Sequence, residues 1–168
     1  MTLDQLNALP ASAFVALTGG VFEHSPWIAE KAAEMRPFAS AAALHSALVA
    51  IVAASSGVRR LALIRAHPDL AGRLAQQGQL TAESSREQAS AGLAQADAAT
   101  IARLQTLNTA YRARFDFPFI ICARLNNVEA IIATMEQRLN HEPATEIATA
   151  LEEIYKIAQL RLNDIVAP

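Results

Sequence analysis

Helix-start signals recur along this chain so often that little room is left for anything else. Thr2 stands as a cap before residues 3–9, Pro10 suits a first helical position, and Ser25-Pro26-Trp27 is a cap followed by a proline. Ser40, Asp97 and Asn127 precede further helical stretches, and Pro143 opens the last one. Between these starts the chain is rich in Ala, Leu, Glu, Gln and Arg, the residues that lose least on entering a helix. Apolar residues follow helical spacing. Leu44, Leu48, Ile51 and Val52 form one stripe, closed by Gly57; Ile101, Leu104, Asn108, Tyr111 and Phe115 form another. Gly19-Gly20 ends the helix after Pro10, the Pro26 helix stops before Pro37, and a short apolar helix over 58–66 ends near His67 because Pro68 disfavours helix before it. Residues 72–78 read as a loop with a helical turn, 81–94 as helix, 128–139 as helix, and 143–165 as a helix about 34 Å long. Residues 117–123, Phe-Pro-Phe-Ile-Ile-Cys-Ala, break the pattern. A lone strand has no partner here, so a buried extended segment or irregular helix entry is expected. The expectation is an all-α fold: one compact bundle of eight or nine helices, a single domain over residues 1–168.

Composition narrows the function. The 168 residues carry a formal charge of −2, with 14 basic residues of which 12 are Arg and two (Lys31, Lys156) are Lys. That balance argues against nucleic acid or an anionic membrane as a partner, and the arginine bias suits fixed, directional anion contacts. Cys122 stands alone, so no internal disulfide framework or cysteine-rich metal module is expected, and in its apolar surroundings it reads as an inert core thiol. With no signal-like start and no run of 18 apolar residues, a cytoplasmic protein is expected.

Three places are unusual for a plain bundle. On the last helix Ile147, Leu151, Ile154, Ala158, Leu162 and Ile165 make one stripe, and Arg161 lies about 40° from its centre. A guanidinium there requires an anionic partner, a ligand or a core carboxylate, unless it reaches out to solvent at the helix end. On the 81–94 helix, Ser84, Glu87, Gln88 and Ala91 share a face that carries no base, unlike an ordinary solvated face. His67-Pro68-Asp69 follows a helix end, where an imidazole is fixed and able to exchange a proton near neutral pH. No His-Glu-x-x-His or i, i+4 histidine pair is present, no glycine-rich nucleotide loop precedes a helix, and there is no Gly-x-Ser-x-Gly elbow.

In order and spacing these stretches resemble one family. They are Phe22-Glu23-His24-Ser25-Pro26-Trp27, Arg65-Ala66-His67-Pro68-Asp69-Leu70-Ala71-Gly72, Glu83-Ser84-Ser85-Arg86-Glu87-Gln88, Ala91-Gly92-Leu93, Leu107-Asn108-Thr109-Ala110-Tyr111, the 117–123 segment and the helix of Arg161. The chain is similar to 2-oxo-4-hydroxy-4-carboxy-5-ureidoimidazoline (OHCU) decarboxylases from about residue 14 to 165. It departs from them at Asp116, where glycine is the usual residue.

The resemblance implies a cofactor-free, metal-free, all-helical homodimeric carboxy-lyase of urate breakdown, which converts OHCU to (S)-allantoin with protonation of one face. It implies that His67 is the catalytic proton donor, with Pro68 beside it, and that Glu87 is catalytic. It assigns substrate binding to Ser84, Ser85, Arg86 and Gln88, to Phe119, Ile120, Ile121, Cys122 and Ala123, and to Arg161. Whether Glu87 orients His67 or polarises the substrate hydroxyl stays open. The competing expectations are a hydrolase of another cyclic ureide using the same His and Glu, and a non-catalytic helical module that takes a partner helix in an apolar groove.

Overall fold

Side-chain caps set most of the helix starts. In a computed structural model describing residues 1–72, 75 and 77–166, Thr2 Oγ1 accepts from Gln5 N while the Gln5 side chain accepts from Thr2 N, starting α1 (Leu3–Ala8). α2 (Ala11–Thr18) begins one residue after Pro10, which keeps extended backbone at the cap position, and Gly19 closes it. Pro26 is the first residue of α3 (Pro26–Ala33), although the Ser25 side chain makes no capping bond. Ser40 Oγ caps α4 (Ala41–Ala53).

Gly57 departs from expectation. α4 already stops at Ala53, and Gly57 is instead the first residue of α5 (Gly57–Arg65), because Ser56 Oγ accepts from Arg59 N and starts a new helix. A further difference lies at 81–94. α6 (Ala82–Ser90) ends early, since Gly92 takes φ +83°, a left-handed conformation that ends a helix, and a 3-10 turn covers Leu93–Gln95. Asp97 caps α7 (Ala98–Phe115), Asn127 caps α8 (Val128–Arg138), and α9 (Pro143–Ile165) is the longest helix, at 23 residues. Asp116 ends α7 at φ +61°, so it occupies the backbone region that a glycine there would enter without strain.

Nine α-helices and no strand are found among the described residues, so the fold is all-α as expected. Part of the 72–78 loop lies outside the described residues. Among the described residues no single helix is long and apolar enough to cross a membrane.

The chain forms two compact units, divided inside α9 between Ile154 and Tyr155. The first comprises residues 1–66 and 155–168. In it α3 packs on both α2 and α4, and Phe14, Ile28, Leu44, Leu48, Val52 and Ile64 are fully buried. The second comprises residues 67–154. In it α6 packs on the 93–95 turn and on a second 3-10 turn, Ala123–Leu125, and α7 packs on α8. Tyr111 of α7 is fully buried, with its ring 4.7, 6.0 and 5.3 Å from the rings of Phe115, Phe117 and Phe119. Residues 117–122 belong to no helix and every one of them is buried, and Ala123 begins a 3-10 turn, in keeping with the buried non-helical segment expected.

Candidate active site

His67 is the first residue after the cap of α5, and it is buried with 7% of its surface exposed. The turn that follows is strained and tightly held. Ala71 stands at φ +49°, and a Cβ on Gly72 would lie 2.7 Å from Asp69 Cβ, so only glycine fits there. Three side chains fix this turn. Gln88 Oε1 accepts from Ala71 N at 2.9 Å, while its Nε2 donates to Asp69 O at 3.4 Å. Asn108 Nδ2 donates to Leu70 O at 2.9 Å, and Arg112 Nε reaches both Asp69 carboxylate oxygens, at 2.9 and 3.0 Å. Asn108 Oδ1 is buried and finds no hydrogen-bond partner among the described residues.

Gln88 ties the His67-Pro68 turn to α6. On that helix Ser84 and Gln88 are buried, Glu87 is half-buried, and Ser85 and Arg86 are exposed. Arg86 forms a surface pair with Glu83 at 3.4 Å. Ser85 lines, with Gln88, Ala89, Leu93 and Ile101, a largely apolar cavity of about 300 Å³. Two of the three polar groups expected on one face are therefore enclosed, and the neighbouring pair Ser85 and Arg86 faces outward.

The other side of α6 meets the segment that follows α7. α6 packs on the Ala123–Leu125 turn, and Glu87 lies near enough to Cys122 for its charge to act on the thiol. Burial pushes the Cys122 thiol above its ordinary range, the charges of Glu153 and Glu87 push it further, and the Leu125 N–H and Arg124 oppose them. Cys122 N donates to Glu153 Oε2 at 2.7 Å, and Cys122 O accepts from Leu125 N and from Asn126 Nδ2. The N–H groups of Ile120, Ile121 and Ala123 find no protein partner among the described residues, although these residues are 3–6% exposed. Peptide donors in that state are rare in an interior and are suited to a polar ligand.

Behind the segment lies a cluster with no counterpart in the sequence reading. Arg138, the last residue of α8, donates from Nη1 to Ile120 O at 2.8 Å, and its guanidinium sits 4.5 Å from the centre of the Phe119 ring. Its Nε and Nη2 both donate to Glu146 Oε1, which also accepts from the Tyr111 hydroxyl. Glu146 Oε2 lies 2.8 Å from His141 Nδ1. Glu146 is fully buried, and Arg138 is 4% exposed. Burial, followed by hydrogen bonding to Glu146 and its charge, raises the Tyr111 hydroxyl far above the ordinary tyrosine range. The stripe on α9 explains the omission. It places Ile147 in the core with Leu151 and Ile154, and those two are buried, but Ile147 is half-buried and Glu146 and Ala150 are buried beside it.

Arg161 belongs to the first unit. It is 4% exposed, and its anionic partner is a protein carboxylate: Nη1 lies 2.9 Å from Glu23 Oε2 and also donates to Gly20 O at 3.0 Å. Glu23, 2% exposed, stands within the Phe22–Trp27 motif but carries no role in the sequence reading. Among the described residues no three His, Cys, Asp or Glu side chains gather in a way that could hold a metal ion.

A family model described as OHCU decarboxylase matches residues 7–163. A 2-oxo-4-hydroxy-4-carboxy-5-ureidoimidazoline decarboxylase of Amia calva is 43% identical over 166 residues, spanning 99% of this chain and 95% of the relative. One from Haloferax volcanii is 44% identical over 164 residues, with 98% and 95% covered. Among solved structures, a crystal structure of (S)-allantoin synthase aligns with a TM-score of 0.79 at 30% identity, over 99% of this chain and 54% of that one.

Proposed function

Because the chain belongs to the OHCU decarboxylase family, we propose that it removes carbon dioxide from OHCU and delivers (S)-allantoin, as a carboxy-lyase of urate degradation. The observation that carries this reading at the level of residues is the clustering within the second unit. The His67-Pro68 turn, the Ser84–Gln88 face of α6 and the Phe119–Ala123 segment are linked there through Gln88 and through the packing of α6 on the 123–125 turn.

The chemistry needs little beyond binding and one proton. The substrate carbon bearing the carboxylate also bears a hydroxyl and adjoins a ring carbon doubly bonded to nitrogen. When the bond to the carboxylate breaks, its electron pair moves into that imine and carbon dioxide departs. The substrate thus contains its own electron sink, which enzymes acting on other acids borrow from an organic cofactor. The protein orients the ring, stabilises the developing charge and protonates one face of the planar intermediate.

His67 supplies that proton, and Pro68 fixes the backbone beside it. Glu87 acts beside it, by orienting the imidazole that protonates the former imine carbon or by polarising the hydroxyl on the neighbouring carbon that loses the carboxylate. Ser84, Gln88 and the N–H groups of Ile120, Ile121 and Ala123, which have no partner among the described residues, meet the ring and ureido amides, with Phe119 and Cys122 shaping the segment. Gln88 already holds Ala71 and Asp69, so it serves the substrate by setting the turn as much as by direct contact. Ser85 and Arg86 flank this face from its exposed side. Arg161, held by Glu23, presents its guanidinium fork to an anionic or carbonyl edge. We further assign the whole chain to one working domain that acts as a cytoplasmic homodimer without metal or cofactor.

The test is incubation with freshly generated OHCU, following carbon dioxide release and, by circular dichroism, the handedness of the allantoin. Turnover unaffected by chelator and yielding the S form is expected. His67→Asn should lower the rate by roughly 10²–10⁴, the usual worth of a general acid, and reduce the enantiomeric excess of any residual product. Full rate and full S selectivity in that variant would remove His67 from the mechanism.

A further inference from the structure

Among the side chains behind the Phe119–Ala123 segment, the Arg138–Glu146 pair has no role in the chemistry derived above, yet it meets that segment directly. We propose that Arg138 is a positioning residue for the decarboxylation, and that Glu146 acts through it. The inference rests on the reading of Phe119–Ala123 as a substrate-binding segment.

The geometry is specific. Residues 118–122 lie outside any helix, so no regular hydrogen-bond ladder sets the direction of their peptide groups. Arg138 Nη1 holds the Ile120 carbonyl at 2.8 Å, and the flat guanidinium lies 4.5 Å from the centre of the Phe119 ring. The peptide plane containing the Ile120 carbonyl also contains the Ile121 N–H, so fixing the oxygen fixes the direction of that free donor. Arg138 itself is fixed from behind: Glu146 Oε1 takes both Nε and Nη2 and also the Tyr111 hydroxyl, while His141 Nδ1 holds Oε2. The arrangement amounts to a planar fork with one side locked on a buried carboxylate and the other on the substrate segment. Lysine carries the same charge but cannot serve two sites at once.

Steady-state kinetics with OHCU on Arg138→Lys, together with hydrogen exchange at the Ile121 and Ala123 amides, tests this. Ile131→Val, at a fully buried position of α8 with no polar contact to the segment, serves as a control for lost stability. All proteins are assayed well below their thermal midpoints and per folded molecule. For Arg138→Lys we expect kcat/KM to fall roughly tenfold or more, carried mainly by KM, in the range for one charged hydrogen bond. We also expect faster exchange at Ile121 and Ala123 while the α7 amides stay protected. Ile131→Val should keep wild-type kcat/KM. Arg138→Gln, which strands the buried Glu146 carboxylate as well as losing the fork, should lose at least as much as Arg138→Lys, and the charge-neutral double variant Arg138→Gln with Glu146→Gln replaces Arg138→Lys if that variant folds poorly.

Wild-type kcat/KM and unchanged exchange in a folded Arg138 variant would overturn the proposal. So would an equal loss in Ile131→Val, which would reduce Arg138 to a stabilising residue. An inactive wild type would instead refute the decarboxylase reading, and the exchange measurement would still decide whether Arg138 orders the segment.

Discussion

The buried pair of Glu23 and Arg161 offers a prediction that separates holding the fold from handling the substrate. With 2% and 4% of their surfaces exposed and 2.9 Å between Oε2 and Nη1, neither charge has water to fall back on. Glu23→Leu removes the buried carboxylate 2.9 Å from Nη1, while the neutral Gly20 carbonyl stays 3.0 Å from the same nitrogen. Breaking a buried pair from one side costs about 3–5 kcal/mol, because the surviving charge is uncompensated. For a chain of this length, about 2–4 °C per kcal/mol converts that to a fall in Tm of roughly 6–20 °C. Adding Arg161→Met removes the stranded charge and fills its volume with an apolar chain, so the double variant should recover most of the lost stability. Activity should not return, since Arg161 is proposed to hold the substrate. Urea titrations of the wild type, both single variants and the double variant measure the coupling, and OHCU turnover is read on the same four proteins. If the double variant is as unstable as Glu23→Leu, the stranded-charge argument is wrong. If it is stable and fully active, Arg161 is a structural residue only.

Three other outcomes are expected. Glu87→Gln keeps shape and removes charge, so OHCU turnover should fall at least tenfold at an unchanged thermal midpoint; near wild-type turnover would leave Glu87 as a half-exposed residue of α6. Burial and the charges of Glu153 and Glu87 keep the Cys122 thiol protonated beyond its ordinary range, so at pH 8 iodoacetamide should label it far more slowly than the unfolded chain, as read by mass spectrometry. The Tyr111 hydroxyl has its folded pKa raised above the ordinary 10, so its contribution to stability is complete below about pH 10 and is lost as pH rises beyond it. Denaturant titrations between pH 8 and 11 should show this decline. Tyr111→Phe should flatten it in part, Tyr155 being raised by burial as well.

What could be read in advance was whatever leaves a local mark. Thr2, Ser40, Asp97 and Asn127 are caps because a short oxygen-bearing side chain next to a helix start has one dominant use, and each is found capping. The 117–123 segment was legible because aromatic and β-branched residues without periodicity fit neither helix face. Gly57 misled, since glycine ends helices often, yet the Ser56 cap beside it governs and begins one. Gly92 lay inside a run of helix formers, and nothing local announced its left-handed turn. The buried charges escaped for a different reason. Arg138, Glu146 and Glu23 resemble solvent-facing residues by type, and their partners are set by folding rather than by helical spacing. Glu23 and Arg161 are 138 residues apart. Arg161 could be flagged because it fell on a counted apolar stripe, whereas the register drift that buries Glu146 in place of Ile147 left no such sign.

The buried N–H groups of Ile120, Ile121 and Ala123 belong to the main chain, and this changes how the segment records its own history. On the proposed reading the segment is a recognition edge made of peptide groups, and such an edge is inherited as a path through space. Side chains along it can drift among residues of similar volume while the donors stay where they were, so position-by-position variability would understate the importance of the segment. The sensitive changes are those that move or delete the peptide itself. Proline removes the N–H and resets φ, and an inserted residue rotates every donor after it. A library of substitutions and single-residue insertions across 119–123 would therefore show tolerance of letters beside intolerance of length.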